Sequence, residues 1–306
     1  MQGIEISRRY YEKYGREMIH NLFPEYESRI SVGIAGEGSD CFGFDDEISR
    51  DHDFGAGFRL WVDDEIYNRI GFALTRAYTA LPDEIDGIKK YKIRPYGTDR
   101  FGVITISDFF LPLTGTSGAP ESPIQWASLP DYALAATVNG EIFRDDSGLI
   151  TGIRDTILNM PDDVKFKKIS ARAIAMAQSG QYNFKRCMNH GERGAAALAK
   201  AEFVRNAAAL CHNLEGRYCP FYKWAFRSML TLEKFAFLHD DLVSLVARET
   251  DEKCFDEIER ISGIFADYFR ESGLSAAPGA FLEPHAYEIR NKISDASIRN
   301  MHIMEG

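Results

Sequence analysis

No Cys-x-x-Cys pair occurs in this chain. Its five cysteines, Cys41, Cys187, Cys211, Cys219 and Cys254, are scattered, which argues against a zinc site or a disulfide framework and for reduced, buried thiols. No apolar run approaches the length of a membrane span, so no membrane partner is expected. The start Met1-Gln2-Gly3-Ile4-Glu5 lacks the basic residues and apolar core of a secretion signal, which predicts a cytoplasmic location. Blocks rich in lysine or arginine are missing too, and the formal net charge is -10. Such a chain repels a polyanion unless basic residues gather in one patch, which sets long nucleic acid aside as a partner. A single nucleotide needs only a few local donors. What is present is ordinary for a globular protein: 45% hydrophobic and 27% charged residues, with no repeat or low-complexity segment.

A length of 306 residues favours two domains. The spacing of Tyr10, Tyr11, Tyr14, Met18, Ile19 and Leu22 predicts a helix over 7–23, stopped by Pro24. Residues 30–35 read as a strand ending in glycine, with 53–62 as its antiparallel partner. Asp63 and Asp64 start a helix that Pro82 ends. Residues 101–106 and 141–144 read as third and fourth strands, the latter turning at Asp145-Asp146-Ser147-Gly148. From about Ile150 helical periods take over, clearest over 172–178, 194–214, 224–238 and 255–269, with a last helix near Pro284. The expectation is an α+β chain: a mixed sheet with flanking helices over 1–155, then an all-α helical bundle over 156–306.

The chemistry concentrates early. Gly38-Ser39 is a small turn that can hold a phosphate with backbone N–H groups and no side-chain crowding. Downstream stands Asp51-His52-Asp53. Two carboxylates one residue apart on an extended segment share a face and suit a divalent cation, Mg²⁺ arriving with a nucleoside triphosphate. Cradle and clamp together read as phosphoryl or nucleotidyl transfer. A calcium EF-hand is excluded by the order of the acidic residues. Asp45-Asp46-Glu47 reads as a solvated turn, His52 as a packing residue, and Arg50 as either a phosphate contact or a surface ion-pair partner of Asp46 or Glu47.

The string 36–53, with Gly38-Ser39, Gly43 and Ser49-Arg50-Asp51-His52-Asp53, resembles the signature of the DNA polymerase β-type nucleotidyltransferase superfamily, though His52 stands where an apolar residue is usual. The wider run 43–55 and the stretch Asn213-Leu214-Glu215-Gly216-Arg217-Tyr218-Cys219-Pro220-Phe221-Tyr222-Lys223-Trp224 are similar to a bacterial group of nucleotidyltransferase-like proteins with a domain of unknown function. The resemblance implies that Asp51 and Asp53 bind Mg²⁺ bridging the triphosphate of a nucleotide such as ATP, that Gly38 and Ser39 hold its terminal phosphates, and that a third carboxylate serves as base or metal ligand.

Asp108, after the third strand, is the first candidate for that carboxylate, with Glu141 and Asp99 as further options. Ser107-Asp108 reads equally well as the cap of a helix through Phe109 and Phe110. Lys223 either reaches the triphosphate or packs as a snorkelling lysine in the Phe221–Trp224 aromatic cluster. Glu202 and Arg205 form an intrahelical pair, and His190 with Arg193 is a further candidate for the cleft. The expected function is Mg²⁺-dependent transfer of a nucleoside monophosphate to a hydroxyl acceptor, a small molecule or a protein. The alternative is a non-catalytic nucleotide-binding or interaction protein on the same fold. Neither the acceptor, the base preference nor the oligomeric state is legible.

Overall fold

The computed structural model describes residues 2–47, 54–92 and 100–306. By its contacts the chain divides into two units, one of Met1–Pro120 with Ala133–Asn159 and one of Glu121–Tyr132 with Met160–Gly306. The first carries the sheet and the second is helical, so the chain is α+β.

The described strands are β1 (Ser31–Ile34), β2 (Arg59–Val62), β3 (Glu84–Ile85), β4 (Ile88–Lys89), β5 (Gly102–Thr105) and β6 (Glu141–Arg144). The main sheet runs β5-β2-β1-β6. β1 is antiparallel to β2 and to β6, whereas β2 and β5 are parallel. The chain therefore leaves β1 at the end of the sheet where β2, β5 and β6 begin. Alternation sorts the side chains between two faces. Val32, Ile34, Leu60 and Val62 join a core with Tyr10, Tyr11 and Ile19 from the N-terminal segment and Ile66, Leu74 and Tyr78 from the Asp64–Thr79 helix. Each fully buried aliphatic side chain of this kind contributes roughly 1.5–3 kcal/mol. On the other face Phe109 of the Ile106–Thr114 helix meets Trp61 at 5.4 Å between ring centroids and the Arg59 guanidinium at 5.2 Å. β6 closes on β1 because residue 33 is glycine. A Cβ there would meet the Glu141 carbonyl and the Ile142 Cα, at the point where the register shifts.

Local signals account for the boundaries. The Asp63 side chain accepts the Ile66 N–H at 2.9 Å and starts the Asp64–Thr79 helix, as its position predicts. The N-terminal helix begins at Gly3 and ends at Leu22, with a π-helical turn at Tyr11–Gly15. β2 is shorter than the strand expected over 53–62, because Ala56 instead pairs with Lys89 and Tyr91 through its N–H and carbonyl. Asp86 and Gly87, both at positive φ, turn the β3–β4 hairpin.

In the helical unit the Asp162–Met176 and Arg193–Leu214 helices bury Ile169, Ile174, Phe203 and Leu210 in one core with Phe265 and Phe269 of the Lys253–Glu271 helix. The helix expected over 224–238 spans only Tyr222–Met229. Beyond it, side chains claim the backbone: Arg217 donates to the Thr231 carbonyl, and Glu215 accepts the N–H groups of Glu233, Lys234 and Phe235. Tertiary partners thus replace helical hydrogen bonds. Among the described residues, no helix is long and apolar enough to cross a membrane.

Candidate functional site

The Gly38-Ser39 turn follows β1 directly. Asn139 pins its entry, accepting the Gly36 N–H at 3.0 Å and donating to the Gly36 carbonyl at 2.6 Å. Residues Asp40–Phe42 form a 3₁₀ turn, in which the Cys41 N–H reaches the Gly38 carbonyl and the Phe42 and Phe44 N–H groups reach the Ser39 carbonyl. The Cys41 carbonyl accepts the Gly140 N–H at 2.7 Å. Two or three such bonds, each worth about 1 kcal/mol, hold the loop in one shape.

Buried charge sets it further. Asp40 is buried and ion-paired with Arg100, the residue that leads into β5. Burial opposes the charge on Arg100, yet Asp40 and Cys41 outweigh it and hold its pKa above the ordinary arginine value. The Arg59 Nε donates to the Arg100 carbonyl at 3.2 Å. Burial, reinforced by Asp40, pushes the Cys41 thiol up to about 12, so it is no thiolate at neutral pH. Glycine at 38 leaves room for this pair, since a Cβ would meet the Arg100 guanidinium and the Asp40 carboxylate and make these side-chain ends shift.

What this frame leaves open is informative. Among the described residues, the amide N–H groups of Gly38 and Ser39 and the Ser39 hydroxyl have no acceptor, although the neighbouring amides of Cys41 and Phe42 do. Adjacent N–H groups on a fixed turn form an anion-binding concavity.

Asp51, Asp53, His52, Arg50 and Asp99 lie outside the described residues. Asp108 is exposed in the first turn of the Ile106–Thr114 helix, its N–H capped by the Thr105 hydroxyl at 2.9 Å. Ser107-Asp108 thus stands in the first turn of a helix through Phe109 and Phe110, with Thr105 as its cap. Because β5 runs parallel to β2 and antiparallel to β1, Asp108 follows the end of the sheet opposite Gly38 and Ser39, and the structure does not bring them together. Glu141 faces Ile34 at the Gly38-Ser39 end but is ion-paired with Arg8. Asp45 departs from the solvated turn expected for 45–47: it is half-buried and accepts the N–H of Gly3 at 2.8 Å, while Asp46 and Glu47 are exposed. Among the described residues, no group of three or more His, Cys, Asp or Glu side chains is placed to hold a metal ion.

In the helical unit Lys223 is exposed at the start of the Tyr222–Met229 helix, with Nζ 4.9 Å from the Trp224 ring centroid. Its neighbours Phe221 and Tyr222 are 47% and 73% exposed, with their ring centroids 4.4 Å apart in a surface cluster. Glu202 and Arg205 do form their intrahelical pair, at 3.0 and 2.6 Å. His190 and Arg193 are exposed at the Lys185–Asn189 helix end and the start of the next helix.

Sequence reading missed the polar network inside this unit. Asp131, 5% exposed, receives the Lys168 ammonium at 2.9 Å and the Asn213 amide at 2.8 Å, with Arg172 at 4.0 Å. Burial alone would raise the Asp131 pKa, but Lys168 and Arg172 hold it below the ordinary carboxylate value. Next to Asn213, His212 is fully buried: its Nδ1–H donates to the Ala208 carbonyl at 2.8 Å and its Nε2 accepts from the Ser228 hydroxyl at 2.9 Å. The signal was present as Asn213 at the head of the 213–224 stretch, but its acidic partner lies far away in sequence.

Comparison with protein families matches residues 126–225 to a domain of unknown function (DUF4037). That span contains Asp131, Lys168, Arg172 and the whole 213–224 stretch, and excludes the Gly38-Ser39 loop. Comparison with curated proteins gives no match. Among solved structures the chain is similar to a nucleotidyltransferase-like protein from Exiguobacterium sibiricum 255-15, at 12% identity and a TM-score of 0.37, over 92% of this chain and 81% of that one.

Proposed function

We propose that the chain is a nucleotidyltransferase that moves a nucleoside monophosphate from a nucleoside triphosphate such as ATP to a hydroxyl acceptor. The observation that carries the reading is the fixed loop after β1, whose Gly38 and Ser39 N–H groups and Ser39 hydroxyl have no acceptor among the described residues. Asp51 and Asp53, one residue apart in the sequence that leads to β2, are the proposed holders of Mg²⁺. When bound, that ion supplies charge neutralisation on the triphosphate and lowers the pKa of the acceptor hydroxyl. In the proposed step the acceptor oxygen bonds to the α-phosphorus as its bond to the pyrophosphate oxygen breaks. The pyrophosphate leaves with the electron pair, and the acceptor proton passes to a carboxylate. Gly38 and Ser39 hold the terminal phosphates in line for that displacement.

For the proton acceptor, strand direction favours the sequence position of Asp99, immediately before Arg100, over Asp108. Lys223 is retained as a candidate phosphate contact. Pyrophosphate release with ATP and Mg²⁺ over a panel of hydroxyl acceptors tests the reading. The Asp51→Asn/Asp53→Asn variant should fall to background and Asp99→Asn well below wild type, with Asp108→Asn unchanged. Unchanged turnover in the double variant would end it.

The second reading, a nucleotide-binding protein without catalysis, draws support from Asp40 and Glu141, two carboxylates near the loop that are committed to arginines. It is distinguished by Mg²⁺-dependent ATP binding without pyrophosphate release for any acceptor.

A further inference from the structure

The helical unit contains a concavity of about 410 Å³ between the turn after the Arg193–Leu214 helix and the loop after the Tyr222–Met229 helix. Its charged lining is Lys165, Glu215, Arg217, Glu233 and Lys234. The two acids are not equivalent. Glu215 is committed to the chain itself, both carboxylate oxygens accepting the N–H groups of Glu233, Lys234 and Phe235 at 2.9, 2.8 and 3.1 Å. Those amides offset its charge locally. Glu233 is exposed at the rim.

The three cations have no such commitment. Among the described residues, neither Lys165, Arg217 nor Lys234 has a carboxylate partner, and Lys234 only approaches the Tyr268 ring, at 6.0 Å. Arg217 is anchored through Nη1, which donates to the Thr231 carbonyl and hydroxyl, both at 3.0 Å. The anchor fixes the guanidinium plane and leaves its Nε and Nη2 N–H groups without an acceptor among the described residues. Several surface arginines of this acidic chain sit beside an acid, as Arg205 does with Glu202 and Arg260 with Glu257. Three cations that do not, gathered on one concave surface, concentrate positive potential where field lines are focused.

We propose that this concavity binds a small, multiply charged phosphate compound, with Arg217 presenting its open edge to two phosphate oxygens and Lys165 and Lys234 acting as point charges. An arginine fork matches phosphate oxygens bidentately. Against the three cations a carboxylate supplies one charge, a phosphate dianion two and a diphosphate three, while Glu215 is held by backbone amides and Glu233 lies exposed at the rim. The volume lies within the range of small-ligand sites. The site uses none of the residues of the nucleotidyltransferase reading and stands or falls without it.

Titration calorimetry of the full chain with inorganic pyrophosphate in EDTA tests the site without Mg²⁺. Binding is expected, weakened at least tenfold in Lys165→Gln/Lys234→Gln and unchanged in Asp51→Asn/Asp53→Asn. Among the described residues the two lysine ammonium groups make no hydrogen bond, so replacing them should leave the structure intact, checked by circular dichroism. Arg217→Lys keeps the charge but loses the fork, and should also weaken binding. A second titration with ATP in EDTA separates the sources: tighter ATP binding sensitive to the same lysines makes the ligand a nucleotide, and weaker binding makes it a smaller phosphate. No binding of pyrophosphate by the wild type, equal affinity in the lysine variant, or loss in the aspartate variant would overturn the proposal.

Discussion

The two units put their polar groups to different uses. In the helical unit the lysines that are buried among the described residues, Lys167, Lys168 and Lys200, each donate to a backbone carbonyl: His302 at 2.6 Å, Leu129 at 2.8 Å and Arg248 at 2.6 Å. Leu129 and Arg248 are the C-caps of the Pro123–Ser128 and His239–Ala247 helices, so two of these ammonium groups meet the negative ends of helix dipoles and satisfy otherwise orphaned carbonyls. In the sheet unit, Asp40, Arg100 and Asn139 fix the loop after β1 while two amides and a hydroxyl within it stay open. Polar groups that close on one another hold structure. Polar groups held open by others are where a ligand belongs.

The largest effect should come from breaking the buried Asp131–Lys168 ion pair. Asp131→Ala leaves the Lys168 ammonium buried without its counter-charge, which costs about 3–5 kcal/mol. Urea unfolding of the variant should show this loss, and an effect below about 1 kcal/mol would mean that water replaces the carboxylate.

Next in size is a pH effect on the same unit. Burial lowers the His212 pKa from 6.5 to about 4, although the Ala208 carbonyl pulls the other way. Between those values the unfolded chain binds a proton that the folded chain does not. The His212 contribution is therefore complete above pH 6.5 and is lost as pH falls toward 4, on the order of 3 kcal/mol in all. Stability measured across this range should fall with pH in the wild type and less steeply in His212→Asn. An equal slope in both would place the titrating group elsewhere.

Smallest in stability, and aimed at the other unit, is Gly38→Ala. The added methyl must displace the Arg100 guanidinium, a movable side-chain end, for about 1 kcal/mol. Its effect on nucleotide binding should be larger, roughly tenfold, because shifting the Arg100–Asp40 pair deforms the loop whose amides face the proposed phosphate. Equal nucleotide affinity would remove the loop from the site.

Legibility in the sequence follows the range of the interactions. Strands β1, β2, β5 and β6 announce themselves through β-branched and aromatic residues between glycines, and Asp63 as a helix cap acts over three residues. Asp86-Gly87 between Ile85 and Ile88 was an equally local hairpin signal that went unread. Strand direction is not local. Asp108 follows β5, but only the parallel pairing with β2 reveals that it lies past the end of the sheet opposite Gly38 and Ser39. The 224–238 stretch has helical composition throughout, and Glu215 and Arg217, distant in sequence, decide where the helix stops. The open amides of Gly38 and Ser39 belong between these cases: the residue types suggest a cradle, and the partners that hold it, Asn139 and Arg100, come from far along the chain.

The most direct measurement is the amide resonances of Gly38 and Ser39 in isotope-labelled protein, titrated with ATP and Mg²⁺. The account expects both to shift markedly and saturably, with the Cys41 and Phe42 amides, already bonded within the turn, moving less. Saturable binding of ATP with the Gly38 and Ser39 amides unmoved would contradict it.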